Sequence, residues 1–196
     1  MVHHFHESQK KETAHFATAD KFYKEQLEAL KIDRCDYNTV SGRKSQQNDI
    51  DLWLTLKNRR ISVSEKKRAH DFNDLYLEVY SKFPFVEGWT AHSKADYLAY
   101  FFPERVFWAA FPQIIRFYRE QLLPHIPLEW FEDIRIAWPE KSTQKKQTIK
   151  IAGCSYNILL IQAFNRSDGN NWYTMGTSIP FKILKDNHIK FHIYQL

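Results

Sequence analysis

Between Thr13 and Leu30 the residues Phe16, Ala19, Phe22, Tyr23, Leu27 and Leu30 recur every three or four positions. That is the period of one helix face, so the spacing predicts an amphipathic helix whose aromatic side is core. The next stretch, Ile32 to Val40, is short and mixed, and Ser41 to Asn48 (SGRKSQQN) has the composition of a polar loop. Strict alternation then takes over: Ile50, Leu52, Leu54 and Leu56 share one side of a predicted strand, and Asp51 faces away from them. A charged turn, Lys57 to Arg60, joins this strand to Ile61 through Lys66, and its brevity predicts an antiparallel hairpin. A third alternating run carries Leu75, Leu77 and Val79 on one side and Tyr76, Glu78 and Tyr80 on the other.

Further on, Ser93 to Phe102 reads as a short helix or strand ending at Pro103, and Arg105 to Phe111 as a buried strand. Pro112 suits the first turn of a helix running to about Leu123, with Ile114, Ile115, Phe117, Tyr118 and Leu122 as its apolar positions. Turns follow at Pro124 and Pro127. From Trp130 the chain looks strand-rich: Ile134 to Ala137, Thr148 to Ala152, Tyr156 to Ala163 and Lys190 to Tyr194, with a turn at Asp168-Gly169-Asn170. The sum is an α/β (α+β) chain, expected as a single domain over 1–196, with a core at about 13–125 and a strand-rich C-terminal extension at about 128–196.

Composition narrows the class. The chain has 196 residues, 43% hydrophobic and 26% charged, which is globular rather than disordered. No stretch approaches the roughly 18 uninterrupted apolar residues of a bilayer span, and MVHHFHESQKKE lacks the apolar run of a secretory leader. No membrane association and a cytoplasmic location are therefore expected. Cys35 and Cys154 lie too far apart for a zinc knuckle and read as buried thiols. His3, His4 and His6 have metal-binding chemistry, but near a chain end they read as a frayed segment.

The net charge is +5, from 28 Lys and Arg against 23 Asp and Glu, a modest pull toward polyanions. Basic residues cluster at Arg43 and Lys44, at Lys57, Arg59 and Arg60, at Lys66, Lys67 and Arg68, and at Lys141, Lys145, Lys146 and Lys150. Arg43, Lys44, Arg60 and Arg68 are the candidate contacts to nucleic-acid phosphates. Phosphodiester hydrolysis needs a divalent cation on carboxylates, an activated water, and positive charge where negative charge grows. Two or three carboxylates hold Mg²⁺, because the ion keeps several waters. Asp51 on one strand, Glu65-Lys66-Lys67 on its hairpin partner and Glu78 on the third run are expected to meet at one edge of a sheet; Asp49 shares a strand face with Asp51 and reads as a second ligand or, in preference, a turn residue.

With those residues in view, NDID at Asn48 to Asp51 followed by VSEKKR at Val63 to Arg68 resembles the two motifs of the PD-(D/E)xK nuclease superfamily. That family includes restriction endonucleases, resolvases and many small nucleases of phages and mobile elements. DLYLEVYS and GWTAHSKADYLAY are similar to an uncharacterised branch with an acidic residue on the strand after the lysine. The resemblance covers roughly Asp49 to Phe111. It implies a restriction-endonuclease-like core with a central mixed sheet flanked by helices, Mg²⁺ (or Mn²⁺) as cofactor and DNA as substrate.

Two registers stay open. Read literally, Glu65 and Lys67 are the acid and lysine of ExK, two apart on one strand face. Shifted by one, Lys66 is the lysine, Ser64 stands where the acid would be, and Glu78 supplies the carboxylate from the next strand. Alternation favours Lys66, since the literal register puts Glu65 on the side of Ile61 and Val63. In either register the metal ligands come from Asp51, Glu65 and Glu78. Against the nuclease stand two other readings: a nuclease-like binding module without chemistry, and an interaction subunit whose C-terminal third forms an oligomer interface, a homodimer being the simplest.

Overall fold

The computed structural model describes residues 5–167 and 169–196, with side chains from residue 16 onward. His3, His4, the side chain of His6, and Asp168 of the expected turn lie outside the described residues. The elements run α1 (Phe5–Gln26), β1 (Lys31–Arg34), α2 (Val40–Gln47), β2 (Leu52–Thr55), β3 (Arg60–Lys67), β4 (Asp74–Lys82), β5 (Val86–Glu87), α3 (Trp89–His92), β6 (Tyr97–Phe101) and β7 (Arg105–Ala110). They continue with α4 (Phe111–Phe117), α5 (Leu128–Ala137), β8 (Thr143–Ile151), β9 (Cys154–Ser167), β10 (Asn170–Pro180), α6 (Phe181–Asp186) and β11 (Phe191–Gln195). The architecture is α+β with two sheets, in the orders β1-β2-β3-β6-β7-β11 and β5-β4-β10-β9-β8. No described helix is long and apolar enough to cross a membrane.

The expected division at about residue 128 is not where the contacts divide. One compact unit comprises Met1–His70, Ala95–Ala109 and Phe191–Leu196, the other Asp71–Lys94 and Ala110–Lys190. Each owns one sheet. The third alternating run, β4, was expected beside β3 but pairs with β10 in the second unit's sheet. Glu78 therefore sits opposite Gly176, on a different sheet from Asp51 and Glu65.

In the first unit, α1 lays Ala19, Phe22 and Tyr23 against Leu52, Leu54, Ile61, Val63 and Phe101 of the sheet, as its spacing predicts. It ends at Gln26 rather than Leu30. Glu28 takes a left-handed φ of 53°, and the Leu30 amide already bonds the Thr55 carbonyl; Leu30, in phase with the helix stripe, is 72% exposed. The β2–β3 hairpin forms as expected, Leu52 opposite Val63 and Thr55 opposite Arg60. The segment left open as helix or strand is β6, which lies parallel to β3, so the sheet is mixed.

Two local expectations are overturned. SGRKSQQN is not a loop but most of α2. The Thr39 hydroxyl accepts from the Gly42 amide at its start, and its end is closed by the amides of Asp49 on Gln46 and Ile50 on Ser45. That pair of bonds, with Asp49 at φ 54°, is the left-handed cap that follows many helices. In the second unit, Ile134 to Ala137 is the end of α5 rather than a strand. Phe131 and Ile134, three apart, are buried while Ile136 is exposed, so the helical period wins over an accidental alternation.

The rest of the second unit follows the reading more closely. Phe111 and Pro112 open α4, which continues through a wider π turn over Tyr118–Leu122. The C-terminal third is strand-rich, with β8, β9 and β10 in antiparallel order. β10 and α6, which no simple period announces, were not anticipated. Cys35 is half-buried, whereas Cys154 is exposed, contrary to the buried thiol expected there.

Candidate functional site

Asp51 is the last residue before β2, where the hairpin ladder ends. Its own amide bonds the Val63 carbonyl and its carbonyl accepts from the Cys35 amide, so its backbone is held from both neighbouring strands. Beyond the last paired residues, Leu52 and Val63, the Glu65 amide takes Asp51 Oδ2 at 2.6 Å instead of a backbone carbonyl. Asp51 Oδ1 accepts from the Tyr37 hydroxyl at 2.6 Å. The carboxylate is thereby fixed in the plane of the sheet end, next to the residue that begins the ExK triplet.

Glu65 lies on the face of β3 that carries Ile61 and Val63, a charge on the apolar side of the strand. Its side chain is only 7% exposed. Partners from α1 and β1 make that burial tolerable. Arg34 Nη1 donates to Oε2 at 2.8 Å and Nη2 to Oε1 at 3.4 Å, while the Tyr23 hydroxyl donates to Oε1 at 2.8 Å. Arg34 Nη2 also bonds Asp20 Oδ1 at 2.6 Å, and the guanidinium lies 4.1 Å from the centre of the Phe16 ring.

Electrostatics follow from that packing. Burial pushes the Glu65 carboxyl above its ordinary range; the bonds from Arg34 and Tyr23 pull it back only in part, and the Asp51 charge adds to the rise. Burial opposes the Arg34 charge too, but the bonds to Glu65 and Asp20 outweigh it and raise its pKa. Burial first, and then the carboxylate each one faces, lift the phenols of Tyr23 and Tyr37 well above their usual value, so both remain donors.

The other face of β3 carries Ser62, Ser64 and Lys66. Ser62 bonds Asp96, while Ser64 Oγ and Lys66 Nζ reach the two oxygens of Asp49 at 2.8 and 2.5 Å. The cap that ends α2 is what aims Asp49 there. Asp49, read as a turn residue, is thus also the partner of Lys66. Both faces of β3 are covered at Ile61–Ser64, so alternation cannot separate a wet side from a dry one, and the premise that favoured Lys66 does not hold.

Around these groups opens a cavity of ≈ 410 Å³ lined by Phe16, Arg34, Cys35, Tyr37, Asp51, Glu65, Lys66 and Lys67. Of the residues singled out in the sequence, the structure brings together Asp51, Glu65, Lys66 and Lys67. Glu78 belongs to the other unit's sheet. Of the candidate phosphate contacts, Arg68 follows Lys67 at the same end of β3, and Arg43 and Lys44 are exposed on α2. Arg60 stands at the far end of β3, about 16 Å from Glu65 at the strand rise, over the Trp53 ring and beside Asp33. Sequence reasoning missed Tyr23, Arg34 and Tyr37, which no motif marks.

Whether the pocket suits a divalent ion is a matter of donors. Among the described residues no group of three or more His, Cys, Asp and Glu is placed to hold a metal. The two carboxylates offer about four acceptor positions each. Asp51 uses one on each oxygen and Glu65 three in all, so acceptor positions remain on both. Two oxygen ligands plus water suit Mg²⁺ or Mn²⁺. Comparison of the chain with family models, curated proteins and solved structures finds no match.

Proposed function

We propose that this protein hydrolyses phosphodiester bonds of DNA with Mg²⁺ or Mn²⁺, as a PD-(D/E)xK-type endonuclease using the literal register of VSEKKR. The observation that carries the reading is that Asp51, Glu65, Lys66 and Lys67, the residues of the resemblance, line one open cavity at the end of the β2–β3 hairpin. Asp51 and Glu65 would hold the ion. Bound there, a divalent cation supplies Lewis acidity and a water of lowered pKa. Lys67, exposed and on the face of Glu65, offers a charge to the phosphoryl oxygens, while Lys66 is oriented by Asp49. Tyr37 and the Glu65 amide keep Asp51 aimed. Mixed pairing in the six-stranded sheet supports a restriction-endonuclease-like core, and the reading works without Glu78, because two carboxylates suffice for Mg²⁺.

A second reading has its own support: Glu65 is already engaged by Arg34 and Tyr23, as in a structural network of a nuclease-like module that binds without cutting. Titration calorimetry of Mg²⁺ and Mn²⁺ into the wild type and Asp51→Asn, followed by incubation with single- and double-stranded DNA, separates the two. Asn removes the charge and keeps one of the two acceptors, for the Glu65 amide, while its NH2 can donate to the Tyr37 hydroxyl in place of the other. The nuclease reading expects metal binding and cleavage to be lost together in the variant. A wild type that neither binds metal nor cuts makes the chain a recognition module.

A further inference from the structure

We infer that Arg34 and the divalent cation compete for Glu65: the guanidinium that grips both oxygens of this buried carboxylate stands in for the metal and withdraws toward Asp20 when the ion binds. The inference rests on the metal-site reading above and concerns its regulation. Three observations carry it.

First, Glu65 cannot stand alone. A carboxylate this buried needs a cationic partner, and Arg34 supplies it through a two-pronged contact, the geometry in which guanidinium meets carboxylate most effectively. A metal ion on the same oxygens would face that guanidinium at close range, and like charges in a partly buried site repel strongly. Both cannot hold Glu65 together on good terms.

Second, Arg34 has a second anchor. Its Nη2 bonds Asp20 on α1 at 2.6 Å, and both side chains reach solvent, Arg34 at 24% and Asp20 at 37% exposure. Releasing Glu65 therefore does not strand the guanidinium. Third, Arg34 is incompletely satisfied where it is, since its Nε is buried and finds no acceptor among the described residues. A purely structural clamp would be expected to use that donor.

The consequence is a sign. If Arg34 only positioned Glu65, removing it would weaken metal binding. If it competes, removing it strengthens binding, because the apparent affinity no longer carries the cost of displacing the guanidinium. Arg34→Met keeps an apolar stem beside Phe16 and deletes the charge; Arg34→Lys keeps a charge but loses the fork. Mn²⁺ is titrated calorimetrically into wild type and both variants, and each is melted with and without Mn²⁺.

We expect Arg34→Met to bind about tenfold tighter and Arg34→Lys to fall between it and the wild type. The melting temperature of Arg34→Met should fall without metal, where Glu65 is left unpartnered, and rise on adding Mn²⁺ by more than that of the wild type. Should Arg34→Met not fold, Arg34→Lys binding no tighter than wild type overturns the competition by itself. Equal or weaker binding in Arg34→Met, with the wild type binding normally, also overturns it. Absence of Mn²⁺ binding in all three proteins overturns the metal site instead.

Discussion

Glu65 is where charge and burial collide. Because burial outweighs the Arg34 and Tyr23 bonds, its carboxyl holds a proton more tightly in the folded chain than the 4.5 of an ordinary glutamate. The stabilising contribution of proton binding is then fully present below about 4.5 and is lost as pH rises through the folded value. Glu65→Gln removes that dependence. At pH 7 the variant should be at least as stable as the wild type, with Asp20 still paired to Arg34, and the wild type should gain on it as the pH falls toward 4.5. Thermal melts of both proteins from pH 4.5 to 8 check this. A loss of about 3–5 kcal/mol at pH 7, the usual cost of breaking a buried ion pair, would make Glu65 a structural partner of Arg34 and nothing more. The acids and lysines of the site were legible because they sit on one hairpin, where spacing fixes which residues are neighbours. Arg34, Tyr37 and Tyr23 were not: they reach their carboxylates across 31, 14 and 42 residues of sequence, and only the folded sheet brings them there.

At the scale of elements, strands proved easier to read than the polar helix. β2 and β3 are declared by alternation, but α2 has no apolar face to declare it; its evidence is a Thr39 cap, a left-handed Asp49 and a buried Gly42. The cap was visible as a residue type, and what hid it was the run of Gly, Ser and Asn that ordinarily marks a loop. Gly42 is required by space rather than by its φ. A Cβ there would lie 1.8 Å from the Asp36 carbonyl oxygen, well inside contact distance. Gly42→Ala must therefore push the start of α2 off the turn at Asp36–Thr39. The expected cost is about 1–3 kcal/mol of stability, as for other overpacked sites, with faster amide exchange in α2. Wild-type exchange rates in the variant would mean that the turn yields freely and that α2 does not depend on this contact.

For the whole molecule, the reading of a linear core followed by an extension missed how the chain interleaves. Periodicity describes neighbours within a segment, and it carries no information about which sheet a strand joins; β4 looks like a third strand of the first sheet and pairs in the second. The first unit is completed by the last segment of the chain. β11 pairs with β7 from Phe191 opposite Ala109 to Gln195 opposite Arg105, the Leu196 amide bonds the Glu104 carbonyl, and Tyr194 packs edge-on against Phe22, ring centres 5.3 Å apart. Phe22 belongs to the same cluster as Tyr23, the residue that bonds Glu65. Ending the chain after Lys190 would expose one edge of β7 and remove an aromatic from the core that supports the site. Tyr194 leaves together with the equally half-buried Phe191 and Ile193, so the loss expected is on the order of 3–5 kcal/mol, the scale of deleting one large core side chain, with raised amide exchange in β7 and α1 and weaker Mn²⁺ binding. Exchange confined to β7, with metal affinity intact, would show that the hairpin holds its carboxylates in place without the closing strand.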